Sequence, residues 1–541
     1  MAETTPLLAK SLREQPGFLS TADYVLILPA LMGNMFLAAF ETTIAASTQS
    51  SVGSTFSATD NIAWVATSYL IVSTAVQPLY GRASDLFGRT RVYVFSLFFF
   101  AVGCLGCGFS GSLGQMVAAR AFCGVGGGGL ITISQVCAWD VLPVRSRPLY
   151  QALNNVTYGV GAAVGASLGG LLSDSIGWRW GYLAPVPLSL FSVLVFLLRA
   201  RPKLALLQQD QKALEKEGRV DLLGSGLLML CITLFMLVIN LGGDEIPWTS
   251  PWIPGILIGA TISAAIFVRH ERRFPMPVLP LGLVKTRHMV SQVGLNLFGA
   301  MTVFGTLYAI PVYFESVLLT SAFVASRRLL YPTLTAPLGS IFTGLFLHHH
   351  KDKAYVGQRL GTLVLLGGTI SMFVLTYENG EGKSELWFIG RLIWVHMGMG
   401  ILFISSLLDI LSSTGTDHAA ATSLIFLIRS VGTVLGISGS QAVMQNVLLN
   451  QLTHRITGPG SAKTIKGIRE SVEYLAKLDP QTRALAIQCY TVAFRAAFGA
   501  LIGVAACAVL SAAIGIGAKK GGEDKEEATE PPLSEGIPVL E

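Results

Sequence analysis

Between two long apolar runs stands GRASDLFGRTR, residues 81–91, with Gly81, Asp85, Gly88, Arg89 and Arg91 at the spacing GxxxDxxGRxR. The glycines allow a tight turn and a close approach of the helices on either side. Asp85 and the arginines can pair with each other or cap the ends of neighbouring helices. Pairs of this kind, made in one conformation and broken in another, would latch a gate at one mouth of a helical bundle. A plainer reading is a solvated basic loop that only sets membrane orientation.

The flanking composition places that loop at a membrane. Of 541 residues, 52% are apolar and 13% charged, and the mean hydropathy is +0.58. A soluble chain of this length carries about twice that charge. The 58 glycines suit membrane helices, where small residues let backbones come close. A net charge of +6 is small for the length and does not argue for nucleic acid. The seven cysteines are odd in number and lie in or beside apolar runs, so they read as small hydrophobes. Cys104 and Cys107 form an isolated CxxC without a second pair. No nucleotide loop, metal cluster or nucleophile constellation appears, so neither an enzyme nor a cofactor is expected. His348, His349 and His350 sit beside Lys351 and Lys353, a poor metal site.

Apolar runs long enough to cross about 30 Å of hydrocarbon fall at 24–48, 62–80, 92–110, 113–138, 151–172, 181–199, 222–242, 252–268, 289–314, 321–346, 358–377, 386–411, 421–447 and 490–517. Fourteen transmembrane helices are expected, in an all-α polytopic membrane protein. Residues 1–20 are polar and the first apolar run has span length, so no cleavable signal is expected. Lys and Arg gather in alternate short loops: Arg82, Arg89 and Arg91, then Arg145 and Arg147, then the clusters within 199–219, 269–287 and 351–359. The positive-inside rule makes those loops, and both termini, cytosolic.

The tail 1–23 holds ETTPLL, in which Glu3, Leu7 and Leu8 resemble the acidic dileucine signal that adaptor complexes read to send membrane proteins to vacuoles and lysosomes. The loop 448–489 on the opposite face contains TIKGIRESVEYLAKLD, whose apolar residues recur at helical spacing and predict a short surface helix. The tail 518–541 is acidic and proline-bearing, and reads as disordered.

The 81–91 stretch resembles the loop signature of the major facilitator superfamily, and the likeness extends along the chain. LGQMVAARAFCGVGGGG, residues 113–129, is similar to that family's fourth-span motif, with Arg120 as its intramembrane arginine. GVGAAVGASLGG, residues 159–170, is similar to the fifth-span antiporter motif and is followed by GWRW at 177–180. With WVATSYL at 64–70 and fourteen spans, the pattern resembles the fourteen-span drug:proton antiporters, among them the fungal vacuolar basic amino-acid transporters. That resemblance implies two six-helix halves, 24–199 and 289–517, around a midplane cavity. An extra helix pair, the seventh and eighth spans, lies in the segment 200–288 between them. One departure is Gly165-Ala166 where the family has Gly-Pro. Without the proline kink, Gly161, Gly165 and Gly169 are left to keep the helix thin and bendable. The loop HHHKDKAYVGQRLG echoes the first-half motif only weakly.

Charges inside spans are costly and usually face a polar interior. Glu41, in LAAFETTIAAS at residues 37–47, stands where the family has an aspartate. Low dielectric favours its neutral form, so it can take a proton from an acidic lumen, and when ionised it can hold a cationic substrate. The alternative is a structural glutamate satisfied by a neighbouring helix. The resemblance gives Arg120 the part of influencing nearby carboxylates or holding a substrate carboxylate. Glu315 at a luminal mouth, and Asn155, Tyr158, Asn296 and Gln441 within spans, are further candidates for binding the substrate, although the amides can as easily join helices. Asp140, Asp409 and Arg429 are expected to be interfacial or paired. The expected function is proton-coupled antiport of amino acids, basic ones above all, from cytosol into the vacuole. The alternative is a multidrug:proton exporter of the plasma membrane.

Overall fold

The computed structural model describes residues 21–56, 63–142, 146–200, 221–241, 250–274, 286–320, 324, 328, 335–350, 353–378, 383–413, 418–457, 461–470, 474–475 and 478–527. In chain order the helices are α1 (Thr21–Thr55), α2 (Ala63–Phe87), α3 (Arg89–Gly108), α4 (Leu113–Val141), α5 (Arg147–Ser175), α6 (Arg179–Arg199), α7 (Leu222–Leu241) and α8 (Trp252–Glu271). They continue as α9 (Arg287–Ser316), α10 (Thr335–His349), α11 (Ala354–Leu375), α12 (Glu385–Ser413), α13 (His418–Arg455), α14 (Ser461–Glu470) and α15 (Pro480–Glu527).

Ten of these hold a stretch long and apolar enough to cross a membrane, and α7 and α10 hold shorter apolar stretches, Leu223–Ile239 and Thr335–Leu347. The expected spans 62–80 and 151–172 fall on α2 and α5, which are 25 and 29 residues long but more polar. Their polar side chains explain the lower hydropathy: Ser68, Ser73, Thr74 and Gln77 of α2, and Gln151 and Asn154 of α5, are buried against other helices.

The two halves repeat one packing pattern. In the first, α1 lies on α5, α2 on α4 and α3 on α4; in the second, α9 lies on α13, α10 on α12 and α11 on α12. Each half has its own apolar core, around Leu97, Phe100 and Leu130 in one and Leu295, Phe314, Phe388 and Phe494 in the other. The pair α7–α8 leans through α7 on α2 and α13.

In lipid the hydrophobic effect does not draw helices together, so close backbone packing must. On α5 the glycine stripe does this against α1, the helix of Glu41. A Cβ on Gly161 would stand 2.5 Å from the Phe36 carbonyl and one on Gly165 2.5 Å from that of Phe40, and at Gly169 it would collide with the Ser47 hydroxyl. The stripe Gly161, Gly165 and Gly169 is thus the face on which α5 packs against α1.

The halves meet along α2–α13 and α5–α10. Asn155 Nδ2 donates to Ser340 Oγ at 2.9 Å, Ser430 Oγ donates to Gln77 Oε1 at 3.1 Å, and Trp139 packs with Leu407 and Leu411. These residues lie toward the end of the bundle that carries the 81–91 loop, here called the motif end.

At the opposite end the loop expected over 448–489 is shorter than its bounds, because α13 runs on to Arg455 and α15 begins at Pro480. The expected surface helix is α14, held down by buried Ile468, whose carbonyl accepts from Tyr490 Oη at 2.7 Å. Asp479 caps α15 by accepting from the Thr482 amide at 3.0 Å, which holds its carboxyl below the usual range. Helix α15 continues to Glu527, past the expected end at 517, through a run that holds three Lys and three Glu, both good helix formers. The rest of the tail expected to be disordered, and the signal residues Glu3, Leu7 and Leu8, lie outside the described residues.

Candidate functional site

Glu41 sits in the middle of α1, fully buried, and its Oε1 is ion-paired with Nη1 of Arg120. Arg120 lies two turns into α4, whose start is capped by Ser112 accepting from the Gln115 amide. Its Nε donates to the Val65 carbonyl of α2 at 2.7 Å. The guanidinium also lies over the Tyr69 ring at 4.6 Å and the Tyr182 ring at 5.8 Å. Thr48 of α1 reaches the Tyr182 hydroxyl at 3.2 Å. Two charges so buried each lose several kcal/mol of hydration, which only their mutual attraction and these extra bonds offset. Neither Glu41 oxygen accepts an ordinary hydrogen bond among the described residues, so the ion pair with Arg120 is what holds the carboxylate. Tyr69 and Val65 both belong to WVATSYL, so that stretch supplies the cradle of Arg120; its Tyr, a polar-tipped residue in an apolar run, was the available sign.

At the motif end Arg89 is buried and joins three partners. Its Nη1 donates to Asp85 Oδ1 and Ser84 Oγ, each at 2.5 Å, and its Nε donates to Asp140 Oδ2 at 2.8 Å. Gly81 contributes its carbonyl to the Ser84 hydroxyl at 2.7 Å. Gly88 turns the chain between α2 and α3 at φ +89°, ψ 145°, a conformation open to glycine alone. Arg91 is exposed and stands outside this network. The charges of 81–91 thus find their distant partner on α4, at Asp140.

The second half carries a different set. Asp409, near the end of α12 as Asp140 is near the end of α4, accepts from Gln292 Nε2 at 2.8 Å and Gln358 Nε2 at 3.0 Å, with His288 Nε2 at 3.5 Å. The weak echo in HHHKDKAYVGQRLG therefore has a structural counterpart, in which the amide of Gln358 meets the aspartate where the first half uses a guanidinium. Asn296 is buried, donating to Ser406 Oγ at 2.6 Å and accepting from Arg429 Nε at 2.7 Å. Arg429 also donates from Nη2 to the Phe403 carbonyl at 2.7 Å.

The remaining candidates are not gathered at Glu41. Asn155 spans the two halves and accepts from Gln151 Nε2 at 3.3 Å. Tyr158 is 36% exposed, one turn further along α5. Glu315 is half-buried at the end of α9, and Gln441 lines a small crevice with Tyr308, Ser440 and Phe494. Sequence reasoning missed Asn34, fully buried on α1 and donating to Tyr93 Oη at 2.8 Å and Ser134 Oγ at 2.7 Å. An amide inside an apolar run was its sign.

Two helical halves with repeated packing, spanning helices and buried charge networks on several helices define a multi-pass helical membrane protein. Residues 30–437 match the model of the Major Facilitator Superfamily, and the chain belongs to that family. It is 33% identical over 94% of its length, and 94% of the relative's, to "Multidrug resistance protein fnx1" of Schizosaccharomyces pombe. It is 34% identical over 73% of its length, and 84% of the relative's, to "Vacuolar basic amino acid transporter 2" of Saccharomyces cerevisiae. The crystal structure of the human organic anion transporter MFSD10 shares the fold, with a TM-score of 0.55 and 13% identity over 92% of this chain and 100% of that one.

Proposed function

We propose that the chain is a fourteen-span, proton-coupled antiporter that carries amino acids, basic ones above all, from cytosol into the vacuole, with the motif end and both termini cytosolic. The observation that carries this reading is the buried Glu41–Arg120 pair. While the pair is closed, the arginine holds the carboxylate ionised. Movement of α1 against α4 that parts them strands a carboxylate in low dielectric, where protonation is the cheaper state. Closing the pair again expels the proton. A cycle that alternately opens and closes this pair thereby couples proton movement to conformation.

The similarity to a vacuolar basic amino-acid transporter supports the substrate class, and the Glu3, Leu7 and Leu8 signal supports the membrane. A second reading, export of drugs at the plasma membrane, draws on the relative named for multidrug resistance. Uptake of labelled lysine or arginine by vacuolar vesicles separates the two. Wild-type uptake should collapse when a protonophore dissipates the gradient, and Glu41→Gln should lose coupled uptake at equal protein level. Uptake indifferent to the gradient would sink the antiport reading. Leu7→Ala with Leu8→Ala should move the tagged protein off the vacuolar membrane, and unchanged placement would count against the signal.

A further inference from the structure

We infer that Arg429 is the anchor for the carboxylate of the transported molecule; the inference rests on the amino-acid reading above. Arg89 is neutralised by Asp85 and Asp140, and Arg120 by Glu41. Arg429 differs. Its Nε is held by Asn296 Oδ1 and its Nη2 by the Phe403 carbonyl, both uncharged, and among the described residues no carboxylate pairs with it. A cation within a membrane bundle without a counter-charge is costly, and a site that retains one is suited to an anionic ligand.

The arginine is also aimed. Asn296 is fixed by donating to Ser406 Oγ at 2.6 Å and to the Gln292 carbonyl at 2.8 Å, which turns its oxygen to Arg429. The Phe403 ring lies 4.4 Å from the guanidinium and the Phe426 ring 5.7 Å. These contacts commit Nε and one N–H of Nη2. Nη1 has no protein acceptor among the described residues and is not a buried atom, and the residue is partly exposed. An open Nη1 beside Nη2 is the fork that accepts a carboxylate through two parallel hydrogen bonds. The position suits a transported ligand, because α13 is a seam helix: the adjacent Ser430 bonds Gln77 of the other half, and Leu427 and Val434 pack with Ile71 and Ala75. Arg429 stands one residue from that seam, with its own partners Asn296, Phe403 and Phe426 in the second half.

The test is competition against labelled lysine in proteoliposomes of the purified full chain, using unlabelled lysine, lysine methyl ester and cadaverine, the last two lacking the carboxylate. Wild-type protein should prefer lysine over either analogue by at least about tenfold. Arg429→Gln should raise the KM for lysine about tenfold and bring the three competitors within about twofold of one another. Asn296→Asp, which keeps the arginine but gives it an internal carboxylate, should also abolish the preference and serves where Arg429→Gln does not yield a monodisperse protein. Full discrimination retained in these variants overturns the inference and leaves amino-acid transport standing. Absence of any amino-acid uptake by the wild type would instead remove the functional reading, and this inference with it.

Discussion

Removing one member of the Glu41–Arg120 pair leaves the other buried without its counter-charge, a loss of about 3–5 kcal/mol. Arg120→Leu and Glu41→Leu should each lower the thermal unfolding temperature in detergent. The double variant Glu41→Leu, Arg120→Leu should recover a large part of that loss while remaining inactive in uptake. If the double variant is as unstable as the singles combined, the two side chains do not act as a pair. Gly88 offers a second check at this scale. Gly88→Ala places a Cβ at φ +89°, should cost about 1–3 kcal/mol, and should loosen the Arg89 network that starts one residue later. Undiminished thermal stability would show that the turn can relax. Glu41, Arg120, Asp85 and Arg89 were all visible in the sequence, because a charge within or beside a span announces itself. That Arg120 reaches Glu41, and that Asp140 pairs with Arg89, was not visible, since a partner some eighty or fifty positions away is set by how helices cross.

Among the helices, α5 and α1 show what small residues do. The four-residue spacing of Gly161, Gly165 and Gly169 puts them on one face of a helix, and that face meets Phe36, Phe40 and Ser47. Gly165→Leu should push α1 from α5, carry Glu41 away from Arg120, and reduce uptake more than about tenfold, the scale expected for groups displaced by an ångström. Gly159→Ala, with open space around the added methyl, should transport normally. Equal tolerance at both positions would mean that the stripe does not set the spacing. The glycine spacing was legible. Its partner was not: that the stripe lies against the backbone of Phe36 and Phe40 was set by the packing of α1 on α5.

Across the whole molecule, the halves are joined near the motif end through Asn155–Ser340 and Ser430–Gln77. A disulfide between Asn155→Cys and Ser340→Cys, formed by mild oxidation in a background lacking the native cysteines, should arrest uptake, and reduction should restore it. Transport that continues with the bond formed would show that the halves do not need to separate there. Asn155 was picked from the sequence as a candidate for substrate contact, and in this conformation it clasps the halves together. Both roles need a polar side chain on an apolar helix, so composition does not separate them.

The sequence by itself determined that this is a helical membrane protein, roughly where many of its helices run, and which charges must be stabilised inside or beside the membrane. Those properties follow from local physics: apolar length, charge cost in hydrocarbon and the spacing of residues along one helix. The tertiary structure decided which charges neutralise one another, which glycines touch which backbone, and that Arg429 is held by an amide and a carbonyl in place of an acid. Each of these depends on two segments far apart in the chain arriving at one place, and only the packing of helices brings them there.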